Sequence, residues 1–89
     1  FICSEVNIGK NCFIGHGVMF INDTFSDGSV NFSGPFEKTI IEDDVIIGSN
    51  ATILPVKIVS GTVIGAGSVV TKDILESGKY AGNPARKLA

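Results

Sequence analysis

Large aliphatic or aromatic residues recur at every sixth position: Ile2, Ile8, Ile14 and Phe20, then Ile41, Ile47 and Ile53, then Ile58, Ile64 and Val70. A short fixed period constrains the architecture before any local propensity is consulted. Four positions after most of them comes a smaller, mostly apolar residue, at Val6, Cys12, Val18, Val45, Ala51, Thr62 and Ser68. Both positions are expected to point into one narrow interior. Glycine follows the aliphatic residue at Gly9, Gly15, Gly48 and Gly65. Because glycine tolerates positive φ and close backbone approach, its return at one phase marks a repeated corner between short straight segments.

A helix needs apolar residues three and four apart over a continuous stretch, and the glycines and β-branched residues oppose it. A flat antiparallel sheet needs hairpin turns, whose signals are sparse here. The pattern therefore predicts an all-β chain wound into stacked coils, each short strand pairing with the strand one coil above and below. Ladders of Ile and Val then offset the ordering of so much glycine, at about 25 cal/mol per Å² of apolar surface buried.

Two places break the rhythm. Phe20 and Ile41 stand 21 positions apart, which predicts an inserted loop, residues 24–38, leaving the coil. That segment carries Phe25, Phe32 and Phe36 among Ser, Gly, Asn and Asp, and is either a floppy insertion or a loop that docks on a neighbouring subunit or covers a ligand. Ile53 and Ile58 stand five apart, so the corner after Pro55 is one residue short and the coil there is expected to be distorted.

At 89 residues the chain holds one domain, 1–89, too small to bury a large core, and 44% hydrophobic against 18% charged residues favours an oligomer. A net charge of -2 offers no cationic surface for nucleic acid or an anionic membrane. No apolar run reaches the roughly 18 residues of a bilayer span, and no secretion signal is evident, so the expectation is a cytoplasmic protein. Cys3 and Cys12 lack metal or redox spacing and read as reduced thiols, with Cys12 at an inward phase as core packing. The chain begins inside a repeat, which predicts further residues upstream.

The hexads, the run Gly15-His16-Gly17-Val18-Met19-Phe20-Ile21-Asn22-Asp23, the run Ile64 to Asp73, and the closing Ala81-Gly82-Asn83-Pro84-Ala85-Arg86 resemble the hexapeptide-repeat acyltransferases. Within them the chain looks most like the N-acetyltransferases that modify amino groups on nucleotide-linked sugars in polysaccharide biosynthesis. The resemblance implies a left-handed parallel β-helix with a short C-terminal tail, a homotrimer with active sites between subunits, and acetyl-CoA as acyl donor. Related enzymes acetylate hydroxyl groups on the same scaffold, so O-acetylation stays open.

Acyl transfer from a thioester needs an unprotonated nucleophile, an oriented carbonyl and donors for the charge that develops on its oxygen. His16 is the only histidine, and imidazole is the side chain best suited to moving protons near neutral pH. Its hexad position points it away from the interior. Asn22 could hold the amine or a thioester oxygen, and Asp23 could orient His16 or attract an ammonium, although Asn and Asp also favour plain turns. Gly65, Ala66 and Gly67 let a thin pantetheine arm lie against the coil, or serve only the corner. Arg86 and Lys87 could meet coenzyme phosphates as charge-assisted donors, or form a solvated basic tail.

Two further classes stay open. A zinc hydratase on the same scaffold, resembling the γ-class carbonic anhydrases, needs three histidines from two subunits, and this chain has one. A non-catalytic oligomerisation module would lack the polar set His16, Asn22 and Asp23, which is present.

Overall fold

The computed structural model describes residues 5–21, 28 and 37–88. Among the described residues every regular element is a strand of two or three residues: β1 (Val6–Ile8), β2 (Phe13–Ile14), β3 (Met19–Phe20), β4 (Thr39–Ile41), β5 (Ile46–Ile47), β6 (Thr52–Ile53), β7 (Lys57–Ile58), β8 (Val63–Ile64), β9 (Val69–Val70), β10 (Lys79–Ala81) and β11 (Arg86–Lys87). They form three sheets, ordered β1-β4-β7, β2-β5-β8-β10-β11 and β3-β6-β9. Through β9, each third strand returns to the same wall and lies parallel to its predecessor, so the chain is a parallel β-helix with three walls.

The register records both breaks in rhythm. Coil two pairs with coil three at a step of 17 residues, as in Ile40 with Lys57 and Ile53 with Val70. Triangular coils of six-residue sides would step by eighteen; the missing residue lies at the Pro55 corner. The ladders stay paired on all three walls, so the expected distortion is confined to that corner. Coil one pairs with coil two at a step of 33, as in Val6 with Thr39 and Phe20 with Ile53. The extra residues fall between Ile21 and Glu37. Apart from Gly28, Glu37 and Lys38, the loop expected at 24–38 lies outside the described residues, as do its three phenylalanines.

The core follows the sixfold phase. Phe20, Ile41, Ile47, Ile53, Ile58, Ile64 and Val70 are buried, and Val18, Thr39, Val45, Ala51, Val56, Thr62 and Ser68 fill the second inward position. Two inward hydroxyls are satisfied locally: Thr62 Oγ1 donates to the Val59 carbonyl at 2.8 Å and Ser68 Oγ to that of Gly65 at 2.7 Å. Val6, Ile8, Cys12 and Ile14 are only half-buried, whereas Val18 and Phe20 of the same coil are buried. Cys12 Sγ donates to the Glu42 carbonyl at 3.1 Å and packs against the core, in keeping with its inward phase.

The expected C-terminal tail is ordered as strand. Ile74 bridges Ile58, β10 lies parallel on β8, and β11 then returns antiparallel to β10, with Tyr80 opposite Lys87 and Ala81 opposite Arg86. The reversal runs through Gly82, whose φ of 101° few other residues adopt. Half-buried Tyr80 anchors the returning strand against the core, and its hydroxyl donates to the Glu76 carbonyl at 2.6 Å.

Candidate active site

Two of the corners recur in all three coils and stack into columns. One holds residues 9–12, 42–45 and 59–62; the other holds 15–18, 48–51 and 65–68. The third residue of each turn is left-handed: Asn11, Asp44 and Gly61 in the first column at φ of 59°, 60° and 79°, and Gly17, Asn50 and Gly67 in the second at 74°, 62° and 71°. The glycines that set the phase in the sequence do other work. A Cβ on Gly48 would lie 2.5 Å from the Ala66 nitrogen and 2.8 Å from its Cα, so this position needs room rather than an unusual dihedral.

The first column is charged and cross-braced. Asp43 Oδ1 accepts the Lys10 backbone N–H at 2.7 Å, and Glu42 Oε1 accepts that of Ser60 at 3.1 Å. Lys57 Nζ stands 3.4 Å from Glu42. The Ser60 N–H, foremost, and the Lys57 ammonium hold the Glu42 carboxyl below its ordinary value. Among the described residues no three His, Cys, Asp or Glu side chains gather as metal ligands.

The second column carries His16 and, among the described residues, no other ionisable side chain. His16 is exposed on the corner between β2 and β3, as its hexad position predicts. Its backbone is clamped from the coil below: its N–H donates to Ser49 Oγ at 3.1 Å and its carbonyl accepts the Asn50 N–H at 2.8 Å. Gly65, Ala66 and Gly67 occupy the same corner one coil further on, where Gly67 donates to the Ser49 carbonyl at 2.9 Å. With coils about 4.8 Å apart, His16 and Ala66 are separated by about 10 Å along the axis. The backbone N–H groups of Ser49 and Ala66 find no acceptor among the described residues, and each nitrogen lies close against the glycine one coil before it, Gly15 and Gly48.

Arg86 and Lys87 lie beyond the last of these corners. They line a cleft of about 330 Å³ with Lys72, Asp73, Tyr80 and Pro84. Lys87 pairs with the Glu76 carboxylate, while Arg86 has no ion-pair partner among the described residues. Asn22 and Asp23 lie outside the described residues; the chain is tracked to Ile21, whose N–H donates to the Ile53 carbonyl at 2.8 Å. The geometry thus brings His16 and the 65–67 corner onto one edge and sets the cationic pair at its end. Ser49 and Asn50 join them, and the sequence carried no signal for these two beyond their polarity; Lys72 lies on a different corner, after β9.

The hexapeptide repeat of succinyl-transferase matches residues 5–20 and 38–72, more than half of the chain and all three coils. The chain belongs to the hexapeptide-repeat acetyltransferase family. Among curated relatives of this hexapeptide-repeat chain, the "Putative acetyltransferase YvoF" of Bacillus subtilis (strain 168) is 35% identical over 83 residues, covering 92% of the chain and 46% of the relative. Among solved structures, the hexapeptide-repeat acetyltransferase VCA0836 of Vibrio cholerae O1 biovar eltor, complexed with acetyl-CoA, superposes with a TM-score of 0.79 at 31% identity over 94% of this chain and 48% of its own. The polysialic acid O-acetyltransferase OatWY gives 0.78 at 30% identity over 93% and 42%. A variant of AntD, an N-acyltransferase from Bacillus cereus in complex with dTDP and coenzyme A, gives 0.78 at 26% identity over 93% and 51%. The chain spans about half the length of the relatives it matches.

Proposed function

We propose that this chain forms the coil region of an acetyl-CoA-dependent acetyltransferase that acylates an amino group of a nucleotide-linked sugar. The observation that carries the reading is the second corner column, where an exposed histidine stacks on glycine-rich corners that hold no other ionisable side chain among the described residues, with Arg86 beyond the last of them. The acetyl-CoA and coenzyme A complexes of VCA0836 and AntD support the donor, and AntD's N-acyl transfer with dTDP bound supports a sugar nucleotide amine. On this reading the coil is left-handed, the protein works as a cytoplasmic homotrimer, and the 24–38 loop with Asn22 and Asp23 shapes the acceptor side. The apolar ladder Phe13, Ile46 and Val63 on the wall beside His16, exposed at Phe13 and Ile46, suits burial against a neighbouring copy.

In the reaction, the neutral amine attacks the thioester carbonyl carbon, forming the C–N bond as the C=O pair moves onto oxygen. His16 takes the proton that the nitrogen sheds. Collapse of the oxyanion breaks the C–S bond, and His16 returns the proton to the departing thiolate. The Ser49 and Ala66 N–H groups hydrogen-bond the extended coenzyme arm, and Arg86, Lys72 and Lys87 meet its phosphates. OatWY favours a second reading, in which the same edge serves a sugar hydroxyl.

Thermal unfolding with acetyl-CoA tests the donor. At about 100 times its dissociation constant a ligand that binds only the folded state contributes about 2.7 kcal/mol, a rise of several degrees. An unmoved transition at millimolar acetyl-CoA, with the oligomer intact, would sink the enzymatic reading and favour a structural module. Acetyl transfer to a nucleotide-linked amino sugar, against its hydroxyl analogue, decides between N- and O-acylation.

A further inference from the structure

The left-handed third position is glycine in the first and third turns of the second column, at Gly17 and Gly67, but asparagine in the middle one. Asn50 is exposed, and its carboxamide makes no hydrogen bond among the described residues. Its position is nonetheless defined. Oδ1 lies against Gly17, where a Cβ on that glycine would collide with it, so the carboxamide reaches up from coil two to the level of the residue following His16. The backbone reinforces this proximity, since the Asn50 N–H donates to the His16 carbonyl at 2.8 Å. A left-handed turn alone does not need this side chain, because glycine takes the same place twice in this column with less strain.

We infer that Asn50 is a catalytic hydrogen-bond donor whose Nδ2–H binds the thioester carbonyl oxygen and stabilises the charge it acquires as the tetrahedral intermediate forms. The inference rests on the acetyl-transfer reading and adds a residue to its machinery. During attack the C=O pair moves onto oxygen, and it returns when the coenzyme thiolate leaves; Asn50 gives up no proton and forms no bond to carbon. A donor already held in place costs no reorganisation at the moment of reaction, which is why such groups act mainly on turnover.

The test uses Asn50→Gly and Asn50→Asp in the intact protein. Both are compatible with the turn: Gly67 holds the same place in this column and Asp44 in the other, at φ of 71° and 60°. Asn50→Gly is expected to keep the melting temperature and oligomeric state and to lower kcat at least tenfold, with KM for acetyl-CoA within about threefold. Asn50→Asp, which replaces the donor by an anion facing the developing charge, is expected to lower kcat further. Turnover of Asn50→Gly within twofold of wild type overturns the inference, and so does a rise in KM alone, which would mark Asn50 as a contact of the coenzyme arm. A wild-type protein that neither binds acetyl-CoA nor transfers acetyl overturns this role and the functional reading together; an active wild type with an unaffected variant overturns this role only.

Discussion

The column of Lys10, Glu42 to Asp44 and Ser60 and the column of His16, Ser49, Asn50, Ala66 and Gly67 share one backbone shape, with a left-handed residue third in every turn. What they carry differs. In the first, the Asp43 and Glu42 carboxylates reach across to backbone N–H groups of neighbouring coils, and Glu42 also meets Lys57. In the second, the clamps are a hydroxyl and backbone groups, with no charged side chain among them. The same corner thus carries a charged brace in one column and only small, uncharged side chains around His16 in the other, which is where we propose the ligand lies.

The sharpest way to break this contrast is at the leading position of the turn. In the first column that position accepts Glu42 and Val59, whereas in the second it is glycine throughout. Gly48→Ala would drive a Cβ to 2.5 Å from the Ala66 nitrogen, against backbone that cannot turn aside. We expect a loss of about 3 kcal/mol and a melting temperature lower by roughly 10 °C or more. Alanine tolerated without a shift in melting would show that the second column has no need of close coil approach.

His16→Ala sharpens the contrast from the side of chemistry. Its backbone contacts to Ser49 and Asn50 survive, so the coils are expected to melt as in wild type while turnover falls at least tenfold, about 1.4 kcal/mol. Full turnover by this variant would mean that the amine reaches the site already deprotonated.

The smallest effect lies in the first column. Glu42 is held below its ordinary carboxyl value in the folded chain, so its contribution to stability is present above about pH 4.5, its unperturbed value, and fades as pH falls through the lower folded value. Glu42→Gln is expected to melt slightly below wild type at pH 7, with the gap closing in acid and coenzyme binding unchanged. A gap that persists at low pH would mean that shape, not charge, braces this edge.

The walls and core were legible in the sequence because one constraint, burial in a narrow prism, acts on every sixth residue; Ile47 and Val70 need no knowledge of the rest of the chain to be placed inside. Even the shortened corner at Pro55 could be read, as a spacing of five, and the 17-residue register follows from it. The candidate site was legible only in part. His16 announced itself by type, but Ser49 and Asn50 meet it across 33 and 34 positions, a register that the sixfold period alone does not give. The phase glycines were read as serving positive φ and close approach alike, whereas the structure shows clearance at Gly48 and puts the positive φ two residues on, at Gly17, Asn50 and Gly67. Residues 79–87 read as a tail because the reversal into β11 lies outside the sixfold pattern.

That reversal bears on the solubility of the protein. A stack of parallel rungs ends in a row of open main-chain groups, a template on which another chain could add as in a cross-β fibril. On the wall that carries β10, the next rung runs the opposite way and presents Arg86 and Lys87 at the rim. The polarity of the ladder is broken there and the edge is charged, so an incoming parallel strand meets mismatched hydrogen bonds and like-charged neighbours, and end-to-end growth is discouraged at that rim.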